Sequence, residues 1–419
     1  MNILILSYYF PPDGDIGGRR WAKFAKNLTL NGNKVTVLTK KPLNINSDKW
    51  KADTSSYSAR IKYFEDNYPQ VLNKSNLSFT DKIKYKIALN KVSKYLGNFY
   101  DPTCTFDSKL TLHVEAIIQD ESIDAVIVSG YPFHWQEIIS GIITKFPEVA
   151  FVADFRDLWL NNKIGYGYSS LTTDRYQYEA LSQKNVIEKF DLIFSVSEQM
   201  NDYFETQIDD VDPGKFHEVT NGFDADDIIK TDLVDELNDN VVRFVFAGNL
   251  YNGLDYILPE FVSAIEKISQ LKKGQFEFRF YGSAPSYFIE SIKEIDEIKF
   301  FGTVSLDHVH KEIRNGDYAM LFLTKDVLFS KSTKFYEYVS HEKPIVVFSD
   351  PGETGAYVED EGIGFHCETG TVFETLSAKL DNRDIETYYS NFNSSQFDIA
   401  NITRQIESIL DLKITEKRN

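Results

Sequence analysis

The chain has 419 residues, more than one ordinary domain of about 100–200 residues, and two domains is the simplest division. Its 42% hydrophobic and 26% charged residues, with 32 Phe and 24 Tyr to fill cores, exclude disorder as the general state. A net charge of -18 excludes nucleic acid as the main partner, since phosphate backbones are held by clustered Lys and Arg, so any anion site has to be local. The two cysteines, Cys104 and Cys367, lie far apart, which argues against a disulfide framework or a cysteine metal site and points to a reducing, cytoplasmic compartment.

In chain order, the opening run Ile3–Ser7 is apolar, follows no basic leader and leads into Pro11-Pro12, so it reads as a buried strand and not a signal peptide. No later apolar run approaches the roughly 18 residues of a membrane span. After this strand come Gly17-Gly18-Arg19-Arg20 and a helical run from Trp21 to Leu28. Glycines at a strand-to-helix turn let main-chain N–H groups approach an anion, and the helix dipole adds favourable potential. The alternative is a tight turn with surface arginines, because the spacing is neither a dinucleotide fingerprint nor a phosphate-loop motif.

Further strands are expected at Lys34–Thr39, Ala125–Ser129, Ala150–Ala153 and Leu192–Ser195, and in the second half at Arg243–Ala247, Glu277–Tyr281, Lys299–Phe301, Ala319–Phe322 and Ile345–Phe348. Their near-continuous apolarity suits strands buried on both faces, and their alternation with helical periodicity is the rhythm of parallel βαβ units. The fold class is therefore α/β, with two Rossmann-like parallel-sheet domains.

Between the first two of these strands and Ala125, Thr80–Leu96 reads as a helix with Tyr85, Ala88, Leu89, Val92 and Leu96 on one stripe. Lys82, Lys84, Lys86, Lys91 and Lys94 make a basic island there on an acidic chain, so an anionic membrane surface is a candidate partner. A helix packed on its own domain with a solvated lysine face is the competing reading. His134, beside Phe133 and Trp135, is a candidate on the acceptor side, although a lone His among aromatics also serves packing or capping. Asp154, Arg156 and Asp157 close the 150–153 strand, where they either orient substrate hydroxyls or pair locally.

The acidic stretch from Asn221 to Asn240 is the best domain boundary. It divides the chain into an N-terminal domain 1–222, a linker 223–240, a second domain 241–385, and C-terminal helices 386–419 that can cross back to the first. In the second domain Gly248-Asn249, Gly282 and Gly302 to Val304 each end a strand, and ligands of open α/β sheets bind beyond such carboxyl ends. Lys331-Ser332-Thr333-Lys334 opens a helix in which Ser332 or Thr333 can cap, while the two cations oppose the dipole. A bound anion there would relieve that conflict. Glu337, one turn on, has the chemistry to accept two ribose hydroxyls.

Together, Tyr9-Phe10-Pro11-Pro12 with Gly17-Gly18-Arg19-Arg20, Asp154-Phe155-Arg156-Asp157-Leu158-Trp159, Asn221-Gly222-Phe223-Asp224, Gly248-Asn249-Leu250-Tyr251 and Thr333-Lys334-Phe335-Tyr336-Glu337-Tyr338 resemble, in order, family 4 glycosyltransferases of the GT-B fold, in particular the branch among bacterial surface-polysaccharide enzymes. The resemblance implies a nucleotide-sugar donor held in an interdomain cleft, mainly by the second domain. It puts Glu337 on the ribose, Lys334 and the Gly248 main chain on the diphosphate, Gly282 and Gly302 to Val304 beside the base, and Gly17 and Gly18 on the diphosphate from the other side. It also implies retention of configuration, no metal and no cofactor, and an acceptor that is a saccharide or a lipid-linked saccharide. Asn249 and Asn252 stand where the family commonly has Arg and Lys, and Phe329 stands where it has a first glutamate. Arg19, Arg20, Arg156, Lys331 and Lys334 are then expected to share the neutralisation of the leaving diphosphate. A silent nucleotide-binding subunit and a sugar-nucleotide epimerase remain the rival readings. The Asp224-Ala225-Asp226 string resembles a metal motif of the other glycosyltransferase fold, and its position suggests a helix cap instead.

Overall fold

The computed structural model describes residues 1–12, 16–42, 52–55, 58–64, 69–74, 77–96, 108–160, 171–208, 212–228, 241–251, 253–325, 331–382 and 385–419. The chain divides into two compact units, Met1–Thr220 with Ile402–Asn419, and Asn221–Asn401.

The first unit is built on a parallel sheet of strands β1 (Asn2–Ser7), β2 (Lys34–Lys40), β3 (Arg60–Phe64), β4 (Ala125–Gly130), β5 (Ala150–Phe155), β6 (Leu192–Ser195) and β7 (Phe216–Glu218), in the order β3-β2-β1-β4-β5-β6-β7. The strands β4 and β5 are buried at every position, including the polar Ser129 and Asp154 near their ends, in keeping with their largely apolar sequences. Ile3 pairs with Val35 on one side and Ala125 on the other, so the strand order reverses at β1. Two strands were not anticipated, β3 and β7, and both lie at sheet edges. There the polar residues Arg60 and Lys62 replace the apolar run that marks a central strand. The last helix, Ile399–Arg418, contributes its residues from 402 onward to this unit, where Lys417 pairs with Asp191 and Arg418 with Asp124.

The second unit has six parallel strands, β8 (Val242–Asn249), β9 (Phe276–Ser283), β10 (Ile298–Gly302), β11 (Tyr318–Phe322), β12 (Ile345–Ser349) and β13 (Gly364–Glu368), in the order β10-β9-β8-β11-β12-β13. Alternate side chains of β8 enter opposite layers: Phe244 and Phe246 join one core cluster, Val245 and Ala247 the other. The first cluster is aromatic, with Phe244 stacked on Phe278 at 4.5 Å and Phe322 on Phe348 at 4.6 Å. Each such buried ring stabilises the sheet by about 1.5–3 kcal/mol. β13, a third unanticipated strand, is again an edge, its sequence broken up by Gly364, His366 and Glu368. Here the order reverses between β8 and β11, so the loops after those two strands flank the switch point, the usual ligand position in open α/β sheets.

Candidate functional site

In the second unit β8 and β9 finish side by side, with Gly248 paired to Gly282. Both have positive φ, 127° and 124°, and a Cβ on Gly282 would lie 2.0 Å from the Gly248 carbonyl oxygen. Neither position accepts a side chain. Over this glycine floor lies Lys334, from the first turn of the helix Thr333–Ser340: its Cε stands 2.2 Å from where a Cβ on Gly248 would be. Its ammonium is 5.4 Å from the Phe246 ring and 5.6 Å from the Tyr251 ring, within cation–π range. Burial pushes the Lys334 ammonium below its ordinary range, and Glu337 opposes that shift. Among the described residues Lys334 makes no ion pair closer than that attraction.

Glu337 is one turn further along, with its side chain 29% exposed and one carboxylate oxygen 3.9 Å from His310 Nδ1. Ser332 occupies the N-cap position, yet its hydroxyl caps nothing: the oxygen is buried and unbonded among the described residues. Thr333 beside it is exposed. Lys331 is 5% exposed and committed to an ion pair with Glu353, its ammonium 4.3 Å from the Tyr357 ring. Asn249 accepts a hydrogen bond from Ser283 Oγ at 2.7 Å. Gly302, with φ 69°, faces open space, and Val304 packs against the second core cluster. Asn252 and Phe329 lie outside the described residues.

In the first unit the strand-end charges are bound into the protein. Asp154 is fully buried and accepts from Trp21 Nε1 at 2.7 Å, Ser129 Oγ at 2.8 Å and Arg20 Nη2 at 3.1 Å. Arg20 also donates to the carbonyls of Val219 and Thr220. Arg19 and Lys23 both pair with Asp53, and although burial raises that carboxyl, the two cations outweigh it and hold it below the usual range. Arg156 donates to the Gly130 carbonyl at 3.1 Å and approaches Asp157 at 3.8 Å. Its guanidinium fills the space a Cβ on Gly17 would need, at 1.2 Å. Gly18 is equally constrained, since its Cβ would meet the Tyr9 carbonyl at 2.7 Å. So Gly17, Gly18 and Arg156, singled out separately in the sequence, come together in space.

His134 is 6% exposed, and its Nε2 lies 3.0 and 3.1 Å from the two oxygens of Glu179. Glu179 also accepts from Trp159 Nε1 at 2.7 Å and Arg175 Nε at 2.6 Å. Burial raises this carboxyl, yet the bonds from His134, Arg175 and Trp159 prevail and hold it low. Glu179 gave no sequence signal, because a single glutamate in a helix of polar residues is indistinguishable from a surface charge.

The helix Phe79–Leu96 exposes Lys82, Lys84 and Lys86. Of the expected stripe Ala88 is buried, Tyr85 half-buried and Leu89 45% exposed, while a separate row of Phe79, Ile83 and Ile87 points outward at 80%, 52% and 66%. The side chains of Lys91 and Lys94 lie outside the described residues. No described helix is long and apolar enough to cross a membrane, and no described group of His, Cys, Asp or Glu is placed to hold a metal ion. Asp224 caps the turn Ala225–Asp227, its Oδ1 accepting from the Asp226 N–H at 3.0 Å.

No protein-family model matches the chain, and no curated protein matches its sequence. Solved structures do match in fold. The sucrose-phosphate synthase of Thermosynechococcus elongatus aligns at TM-score 0.63 and 12% identity over 99% of each chain. Anabaena HepE, solved with UDP and glucose, aligns at 0.61 and 14%, covering 98% of this chain and 99% of that one. The UDP-GlcNAc 2-epimerase of Neisseria meningitidis, solved with UDP-GlcNAc, aligns at 0.54 and 13%, covering 98% and 100%. Two all-parallel Rossmann-like units of seven and six strands, matched end to end by these proteins, give the chain the GT-B fold.

Proposed function

We propose that the protein is a retaining, metal-independent glycosyltransferase that moves a sugar from a nucleotide donor to a saccharide or lipid-linked saccharide in bacterial surface-polysaccharide synthesis. The observation that carries this reading is Lys334, whose side chain lies against Gly248 at the end of β8, beside Gly282 of β9, one turn ahead of Glu337. That combination suits a nucleoside diphosphate: a close main-chain approach, one cation for the phosphates and one carboxylate for the ribose. The neighbours solved with UDP, or with UDP-GlcNAc, support a nucleotide-sugar ligand.

Transfer breaks the bond between the anomeric carbon and a diphosphate oxygen and forms one to the acceptor oxygen. Negative charge therefore grows on the leaving diphosphate, and preorganised donors and cations aimed there lower the barrier. Lys334 and the main chain around Gly248 supply them from the second domain, residues 241–385. Within residues 1–222, Gly17, Gly18 and Arg156 are the proposed anion-binding group, and Asp157 and His134 are the proposed acceptor-side residues. Asp154, Arg19 and Arg20 act by fixing this framework. With retention, the departing oxygen takes the acceptor's proton, so no protein nucleophile is required. The exposed lysines and isoleucines of the 79–96 helix bring the protein to an anionic membrane surface, where a lipid-linked acceptor resides.

The second reading, an epimerase or a silent nucleotide-binding subunit, is favoured by Asn249, which is neutral and tied to Ser283 where a cation would serve transfer. Incubation with a panel of nucleotide sugars separates these readings. Release of nucleoside diphosphate that accelerates with an acceptor is the expected result. An epimerised sugar, or binding without turnover on any acceptor, contradicts it.

A further inference from the structure

Glu337 has a neighbour that the sequence did not single out. His310, in the helix Leu306–Asn315, is 6% exposed, and its Nδ1 is 2.8 Å from Nε2 of His341, just beyond the helix that carries Glu337. The rings meet edge to face at 5.1 Å and 63°. The same Nδ1 is 3.9 Å from the Glu337 carboxylate, beyond hydrogen-bond reach but close for an ion pair.

Two neutral imidazoles at this distance share one proton, one ring donating and the other accepting, so neither can gain a charge without changing what it does to its neighbours. The charged groups around them are Asp307 and Arg314 on the helix of His310, Glu337 on the next helix, Lys343 after it and Asp227 in the 225–227 turn. Burial lowers both imidazoles. His341 falls to about 4, where His310, Arg314 and Lys343 press in the same direction; for His310, Arg314 adds to the lowering while Asp227 and Asp307 oppose it. At neutral pH the pair is uncharged, and His310, whose Nδ1 lies nearest the Glu337 carboxylate, is the ring whose protonation bears on it directly.

We infer that His310 and His341 are positioning residues for Glu337: uncharged, they set no cation against its carboxylate, and once protonated His310 draws that carboxylate away from the donor's ribose. This inference rests on the proposal that Glu337 binds the ribose. The sequence concealed the pair because its members are 31 positions apart, one within a helix and the other just past the end of the next.

The test is calorimetric titration of the full chain at pH 7.5, 6.5 and 5.5 with UDP-GlcNAc, GDP-mannose and ADP-glucose, whose diphosphate diesters do not titrate in that window. With the best binder, wild-type affinity falls measurably, by less than tenfold, from pH 7.5 to 5.5, and His310→Gln, which can still bond His341, removes most of that loss. A His310→Gln chain that keeps the wild-type ratio overturns the inference. Glu337→Gln at pH 7.5 reads the underlying assignment separately: a loss of about tenfold supports it, and unchanged affinity removes Glu337 from the ribose. A histidine NMR titration needs no ligand. In Glu337→Gln the His310 midpoint moves down, and an unmoved midpoint also overturns the inference.

Discussion

Lys334 is the residue on which the proposed chemistry bears most. A lysine in this position holds its charge against burial, which pushes its ammonium down, and the local compensation is Glu337. An arriving diphosphate supplies what the site lacks. Lys334→Ala is therefore expected to lower turnover by about tenfold or more with nucleotide release as the readout, and wild-type turnover would remove the residue from the mechanism. At the same scale His341 ties stability to pH. The unfolded chain accepts its proton near the ordinary imidazole value of 6.5, the folded one at about 4, so stability is complete above 6.5 and declines as pH falls toward 4. The loss from this one group reaches about 3 kcal/mol. Thermal unfolding at pH 7 and pH 4.5 should show His341→Gln losing less than wild type, whereas identical losses would place the acid sensitivity elsewhere. The residues also show what a sequence hides. Asp154 and Arg20 were visible as charges near a strand end and a helix start, but not as each other's partners, since 134 positions separate them. Glu179 was invisible altogether.

The elements were legible in proportion to their burial. All ten strands expected from apolar runs are present, and the three that were missed, β3, β7 and β13, are edges. An edge strand faces solvent along one side, tolerates Arg60, Lys62 or His366, and loses the apolar continuity that betrays a central strand. The glycine-ended strands were legible for the opposite reason, because the backbone there leaves no choice. Gly282→Ala would press a Cβ into the Gly248 carbonyl at a φ of 124°, and a cost of about 1–3 kcal/mol in denaturant unfolding is expected, with weakened nucleotide binding. The 79–96 helix shows a limit of pattern reading: Ile83 and Ile87 lie off the expected apolar stripe and face outward together with Lys84 and Lys86. Charge reversal at Lys82, Lys84 and Lys86 should abolish flotation with liposomes containing anionic lipid while leaving thermal stability unchanged. Equal flotation of the variant would set the membrane aside.

At the scale of the whole molecule, two sheets built by the same βαβ rule carry unequal chemistry. In the Met1–Thr220 unit the charged candidates Arg19, Arg20 and Asp154 are bound to partners, and rigidity is what they provide. In the Asn221–Asn401 unit the glycine floor, Lys334 and Glu337 form the arrangement on which the proposed donor site rests. A chain of net charge -18 has to hold a diphosphate locally, and Lys334 is the cation the proposal places there. The fold alone is shared by transferases and epimerases, so the assignment stands on these side chains. The most direct measurement is a crystal structure of the protein with a bound nucleotide sugar. The ribose hydroxyls are expected within hydrogen-bond distance of the Glu337 carboxylate, and the diphosphate against Lys334 and the Gly248 main chain. A nucleotide bound elsewhere, with Glu337 turned from the ribose, would contradict it.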